Sequence, residues 1–279
     1  MKSLKPRLLT AIIGIPLIIL IIILSELWRP LLPILLSLVT AVMIGEYLYG
    51  NKLLKTYIIS IPCIVFAAGV CMLAAYKLMF FIYIAVFALL MIVFFASIVR
   101  HDKINYSDLS YAFTGTALVT LGTSSIAFLC MRSLSLSFFF VICFAVPWMA
   151  DSGAFFAGSL FGKHKLCPNI SPKKTVEGAI GGVFTCVLAA VAIGFLFGNL
   201  ITPQLTVNFI PLIIIGVCDA VLSIVGDLSF SLIKRTIGIK DYSNLFPGHG
   251  GMLDRFDSII FTVPMVLIVN SFLPILSAG

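Results

Sequence analysis

The chain is a succession of apolar runs, each about as long as a membrane span, with nearly all of its charge confined to the gaps between them. Candidate runs lie near 8–27, 31–49, 56–76, 78–99, 111–131, 136–160, 175–199, 207–230 and 256–275. A helix needs about 20 predominantly apolar residues to cross a bilayer, and only structures that satisfy their own backbone hydrogen bonds survive there. With 61% of 279 residues hydrophobic and 10% charged, these runs consume most of the chain and leave no room for a separate soluble domain. The runs follow neither a heptad nor an alternating pattern, which excludes a coiled coil and an outer-membrane barrel, while their hydrophobicity excludes a soluble monomer or a disordered chain. The expected fold is all-α: a polytopic helical integral membrane protein with about nine transmembrane helices.

A net charge of +7 would point to nucleic acid in a soluble protein, but here the placement of the charges matters more than their sum. Alternating the gaps from a cytoplasmic N-terminus leaves Arg29, Lys77 and Arg132 on the outer side and the other fifteen of the eighteen lysines and arginines on the inner side. That asymmetry follows the positive-inside rule and orients the chain N-in, C-out in the cell inner membrane, with no nucleic-acid partner. Lys2, Lys5 and Arg7 precede the first run, which is long and lacks a small-residue cleavage site, so it reads as a retained helix rather than a signal peptide. Seven cysteines, an odd number without a CxxC pair and mostly inside apolar runs, read as packing residues. Three stretches are expected: scaffold helices over 1–110, middle helices with a basic loop over 111–174, and a catalytic part over 175–279. The long polar gaps 161–174 and 231–255 put function on the cytoplasmic face.

An ionised carboxylate at the centre of a membrane helix costs about 2.5–3.5 kcal/mol even on the lenient insertion scale, so each needs a partner or a wet cavity. Asp219, Ser223 and Asp227 are spaced i, i+4, i+8 and share one face of the eighth helix; Asp254 and Asp257, at i, i+3, share a face at the start of the ninth. Carboxylates gathered in this way repel one another unless a divalent ion lies between them, and oxygen-only ligands suit Mg²⁺. The alternative pairs the same aspartates with Arg255, Lys234 or Lys240 as structural ion pairs.

The run from Phe246 to Asp257 carries Gly248, Gly250 and Gly251 before a helix start, a pattern that turns backbone N–H groups toward an anion and suits a phosphate. Lys234, Arg235, Lys240 and Arg255 flank it. His249 lacks a second histidine nearby, which argues against zinc and for hydrogen bonding or proton sharing. Farther back, Ser171 as N-cap and Pro172 at the first helical position predict a helix whose first turn holds Lys173 and Lys174. Cations are disfavoured there, so a bound anion would explain them; the plainer alternative is a pair of positive-inside anchors. Gly178, Gly181 and Gly182 predict a close helix-packing face. Neither a GxxxxGK[ST] loop nor a GxGxxG turn is present, so a nucleotide would bind outside the usual soluble folds.

Ser231-Leu-Ile-Lys-Arg, Lys240-Asp241 and His249-Gly-Gly-Met-Leu-Asp-Arg-Phe-Asp257 together resemble the signature of the phosphatidate cytidylyltransferases, or CDP-diacylglycerol synthases. Trp148–Gly158 with Asp151, and Ser171-Pro-Lys-Lys-Thr with Glu177, resemble the same family. Phe230 departs from it, since an acidic residue often precedes the signature serine. The resemblance implies transfer of CMP from CTP to phosphatidate, with Mg²⁺, a monovalent cation such as K⁺ beside it, a cavity open to the cytoplasm, and a homodimer. It implies metal positions at Asp227, Asp254 and Asp257, catalytic roles for these three with Lys234 and Arg255, and substrate binding through Asp151, Ser171, Lys173, Lys174, Glu177, Ser231, Arg235, Lys240, Asp241, His249, Gly250 and Gly251. The competing readings are a CTP-dependent polyprenol or phytol kinase, which would release CDP, and an ion-coupled transporter.

Overall fold

The computed structural model describes residues 4–168, 170–246 and 250–278. Among the described residues the chain forms nine α-helices: α1 (Leu4–Leu27), α2 (Leu31–Gly50), α3 (Tyr57–Ala75), α4 (Met79–Val99), α5 (Tyr106–Arg132), α6 (Leu136–Phe161), α7 (Val176–Leu196), α8 (Phe209–Thr236) and α9 (Leu253–Phe272). Four short strands complete it: β1 (Lys165–Cys167), β2 (Ser171–Thr175), β3 (Leu205–Val207) and β4 (Leu276–Ala278). The helices α2 to α9 are long and apolar enough to cross a membrane, and the expected first run falls within α1. The chain is a polytopic, all-α membrane protein.

It divides into two compact units, Met1–Met131 with Ile237–Phe256 and Arg132–Thr236 with Asp257–Gly279. In the first unit α2 packs on α3 and α3 on α4. Their polar side chains are used between helices: Thr40 of α2 contacts the Cys71 thiol at 3.3 Å, and that thiol donates to Thr123 of α5 at 3.3 Å. Such interhelical bonds in lipid are worth about 0.6 kcal/mol each. Tyr47 of α2 stacks on Tyr111 of α5, centroids 4.2 Å apart, and Tyr111 donates its hydroxyl proton to the Tyr47 carbonyl at 3.0 Å. By contrast α4 buries only Leu89, Val93 and Ala96 and turns Phe80, Phe87 and Phe95 outward, as a helix in contact with acyl chains can.

The second unit is built on α6, α7 and α8. A Cβ on Gly181 would meet that of Ala157, and one on Gly178 would come within 2.7 Å of the Ala154 carbonyl, so the expected glycine face is the seam where α7 lies against α6. The antiparallel pair β3–β4 joins the approach to α8 with the exit from α9.

One local expectation is corrected. Ser171–Thr175 is not a helix start but strand β2, paired antiparallel with β1 through Lys165↔Thr175 and Cys167↔Ser171. A residue before proline is pushed to extended backbone, which Ser171 satisfies in a strand. The helix starts later: Thr175 is the N-cap of α7 and its Oγ1 accepts the Gly178 N–H at 3.1 Å. Lys173 and Lys174 therefore lie outside the helix, and the case for an anion drawn from its dipole no longer applies.

The cysteines are free, five of the seven buried, in keeping with a packing role.

Candidate functional site

In the second unit the polar side chains gather from four elements, α6, α8, α9 and β2. Asp151 of α6 accepts hydrogen bonds from Ser223 of α8 at 2.7 Å and Ser258 of α9 at 3.1 Å. Asp227 lies one helical turn beyond Ser223 on α8, as the i, i+4 spacing requires. It accepts from Ser231 at 3.3 Å and pairs with Lys174 of β2, Nζ to Oδ2 at 2.7 Å. The hairpin thus delivers a lysine to the carboxylate of a helix. The charges of Asp227 and Lys174 act at Asp151, and those of Asp227, Lys234 and Asp151 act at Asp257. Lys234 is 9% exposed, while Lys173 and Arg235 are exposed.

Glu177 works within the hairpin. It accepts the Lys163 and His164 N–H groups at 3.1 and 3.2 Å and meets the His164 ring nitrogen at 2.7 Å, tying the start of α7 to the strand pair. Ser171 lies in β2, half-buried. Phe230, where an acid was noted as common, is fully buried edge-on against Phe261, ring centroids 6.3 Å apart, so this chain makes that position part of the apolar packing.

In the first unit Tyr242, Ser243, Gly251, Met252 and Leu253 meet two carboxylates. Asp254, 6% exposed, accepts the N–H groups of Tyr242 and Gly251 on Oδ2 at 2.9 and 3.0 Å. Glu46 of α2, 8% exposed, accepts the Met252 and Leu253 N–H groups at 3.0 and 2.8 Å and the Ser243 hydroxyl at 2.6 Å. These are the amides that the glycine pattern suggested for a phosphate. The protein's own glutamate holds two of them, with a negative charge at the helix N-terminus where it is favoured. Gly250 has φ +81, backbone that glycine adopts without strain, and a Cβ on Gly251 would fall 2.7 and 2.9 Å from the Glu46 oxygens. Lys240, Asp241 and Arg255 are exposed in this unit. His249, with Pro247 and Gly248, lies outside the described residues, as does Asn169.

Sequence reasoning missed Glu46. Its signal was present, because it is an ionisable residue inside a membrane-length apolar run, and such residues are functional candidates by default. Asp219 is completely buried, yet its carboxyl oxygens take no hydrogen bond from the described residues.

Among the described residues no three His, Cys, Asp or Glu side chains converge as a ready-made metal cage. Magnesium does not require one, since it binds one or two carboxylates and completes its shell with water and substrate phosphate. The donors of the second unit are all oxygen, and the carboxylates of Asp151, Asp227 and Asp257 outnumber the ammonium groups of Lys174 and Lys234. These residues fit a divalent cation.

A sequence profile described as the cytidylyltransferase family matches residues 5–273. The chain is similar to the phosphatidate cytidylyltransferase of Haemophilus influenzae, 46% identical over 128 residues, 46% of this chain and 43% of that protein. It is 37% identical over 186 residues to the phosphatidate cytidylyltransferase of Bacillus subtilis, 66% of this chain and 65% of the relative. With the protein of that name from Rickettsia felis it shares 36% identity over 168 residues, 60% of this chain and 74% of the relative. For the first two, the match spans less than two thirds of the relative's length.

Proposed function

Because the chain belongs to the cytidylyltransferase family, we propose that it transfers CMP from CTP to phosphatidate, forming CDP-diacylglycerol and pyrophosphate at the cytoplasmic face of the inner membrane. The observation that carries this reading is the polar cluster among apolar helices in which Asp151 is bonded to Ser223 and Ser258 and Asp227 to Ser231, with Lys174 paired to Asp227 at 2.7 Å. Acids and bases in this mixture suit a site that must hold both a cation and phosphates.

In the proposed reaction a non-bridging oxygen of the lipid phosphate forms a bond to the α-phosphorus of CTP. The bond from that phosphorus to the oxygen bridging toward the β-phosphate breaks, and pyrophosphate leaves with the electron pair. A phosphate monoester is substantially dianionic near neutrality, because its second pKa is about 6, so the nucleophile needs no dedicated base. The chain's work is therefore alignment and neutralisation. Lys174, set on Asp227, and Lys234 meet the phosphates in the patch, with exposed Lys173, Arg235, Lys240 and Arg255 reducing repulsion between two polyanions as they approach. Asp227 and Asp257 are the second-unit residues that would hold magnesium, and the family resemblance adds Asp254 of the first unit as a metal residue. When bound, magnesium would supply neutralisation of the charge that develops on the leaving pyrophosphate. A site near headgroup depth is where a lipid phosphate and a soluble nucleotide can meet. The same resemblance supports a homodimer as the working assembly.

Purified protein in detergent, given CTP, phosphatidate and Mg²⁺, should release pyrophosphate and form CDP-diacylglycerol, and EDTA should stop both. Release of CDP instead would favour the lipid-kinase reading. An absence of any CTP turnover, with cation flux in proteoliposomes, would favour the transporter. Asp254→Asn should lower turnover by orders of magnitude while the protein still inserts.

A further inference from the structure

Glu46 belongs to a stretch that the sequence presents as scaffold, and no feature of the signature includes it. Its carboxylate nevertheless holds the segment preceding α9 at both ends, through Ser243 near the beginning and Met252 and Leu253 at the close. Between these points the segment closes on Asp254, whose Oδ2 accepts the N–H groups of Tyr242 and Gly251. Neighbouring contacts seat the same segment on α2: the Tyr47 and Tyr242 rings lie 6.0 Å apart, and a Cβ on Gly50 would meet Ile239 and Ile237 at 3.0 and 3.1 Å. Gly251 leaves room for the glutamate, because any side chain there would displace it.

We propose that Glu46 is a positioning residue for the reaction: from α2 it fixes Ser243, Met252 and Leu253, and through the adjoining Tyr242 and Gly251 it sets the place and orientation of the Asp254 carboxylate. A carboxylate spared from both the metal and the phosphates is suited to this work. It presents two oxygens to three donors, satisfies amides at a helix start that would otherwise compete for substrate phosphate, and is itself stabilised by them within an apolar span. The substituents of a metal-binding carboxylate's support commonly alter metal affinity or activity by about 10- to 100-fold. Glu46 would act on Asp254 in that manner. The inference rests on the transfer proposed above and on Asp254 as one of its metal residues.

The test uses the full-length purified chain with Ser243→Ala, Glu46→Gln and Glu46→Ala, followed by two measurements. The first is the Mg²⁺ concentration giving half-maximal pyrophosphate release, with KM for CTP taken at saturating Mg²⁺. The second needs no turnover: the rise in thermal unfolding midpoint produced by Mg²⁺ alone. Glutamine keeps one oxygen acceptor and turns an amide donor toward the Leu253 N–H, while Ser243→Ala removes one donor only. The expected series is a small rise in Mg²⁺ requirement for Ser243→Ala, more for Glu46→Gln, and about 10- to 100-fold for Glu46→Ala, with KM for CTP nearly unchanged. The thermal titration should shift in the same order. Wild-type Mg²⁺ requirement in folded Glu46→Gln would overturn the proposal, as would a loss of stability without a change in that requirement, since either assigns Glu46 a purely structural role. If Glu46→Ala fails to fold, the other two variants decide. A wild type that releases no pyrophosphate would sink the proposed function, yet the thermal titration would still report on Glu46.

Discussion

Lys174 shows how the setting of a single residue can differ from the one its sequence suggests. Its basic charge beside a proline marked it for phosphate, but the reason offered, a cation at the positive end of a helix, disappears once β2 is seen to carry it. What replaces that reason is a 2.7 Å ion pair with Asp227. Lys174→Ala should lower pyrophosphate release by about 10- to 100-fold, as losing an oriented partner of a metal-binding carboxylate commonly does, with Lys174→Arg retaining more. Steady-state assays of both variants check this. Asp219 makes the opposite case. Its spacing with Ser223 and Asp227 was readable and is real, yet it is buried with no hydrogen bond from the described residues, and the proposed mechanism does not use it. Replacing a buried carboxyl whose oxygens have no hydrogen-bond partner among the described residues should be neutral or stabilising. Asp219→Asn should therefore keep activity within about twofold and leave the unfolding midpoint equal or higher; a large loss of turnover would give this residue a chemical role.

At the level of elements, hydropathy located the spans because a bilayer leaves a helix no alternative, and the α6–α7 seam was legible in its glycines. The hairpin β1–β2 was not. Ser-Pro at a helix start and Ser-Pro in a strand look alike until something chooses, and here Thr175 chooses by capping α7 while Glu177 takes the amides of Lys163 and His164. Thr175→Ala should cost about 1 kcal/mol, read as a lower unfolding midpoint that Thr175→Ser restores. Glu177→Ala should leave the helix and loosen the hairpin, giving faster tryptic cleavage after Lys163 or Lys165 in the otherwise intact protein; unchanged cleavage would show that the strand pair holds without it.

For the whole molecule, charge asymmetry predicts the orientation and, on the proposed function, the side from which substrate would come. Cys167 lies in β1, partly accessible and outside the spans, whereas five of the other six cysteines are buried. A membrane-impermeant maleimide should label the protein in inverted vesicles and not in sealed right-side-out ones, and Cys167→Ser should remove most of the signal. The reverse pattern would invert the topology. The wider organisation was harder to read, because adjacency along the chain is the one cue that sequence offers to which segments pack together. The structure instead places Ile237–Phe256 in a compact unit with Met1–Met131. No local pattern announces such a pairing.

The bond between Glu46 and the Leu253 amide joins residues 207 positions apart, and this bears on how the protein is made. During synthesis α2 enters the bilayer carrying an acid whose partners have not yet left the ribosome. Until the residues ahead of the last helix have been made, that acid lacks the Ser243 hydroxyl and the Met252 and Leu253 amides that compensate it in the finished fold.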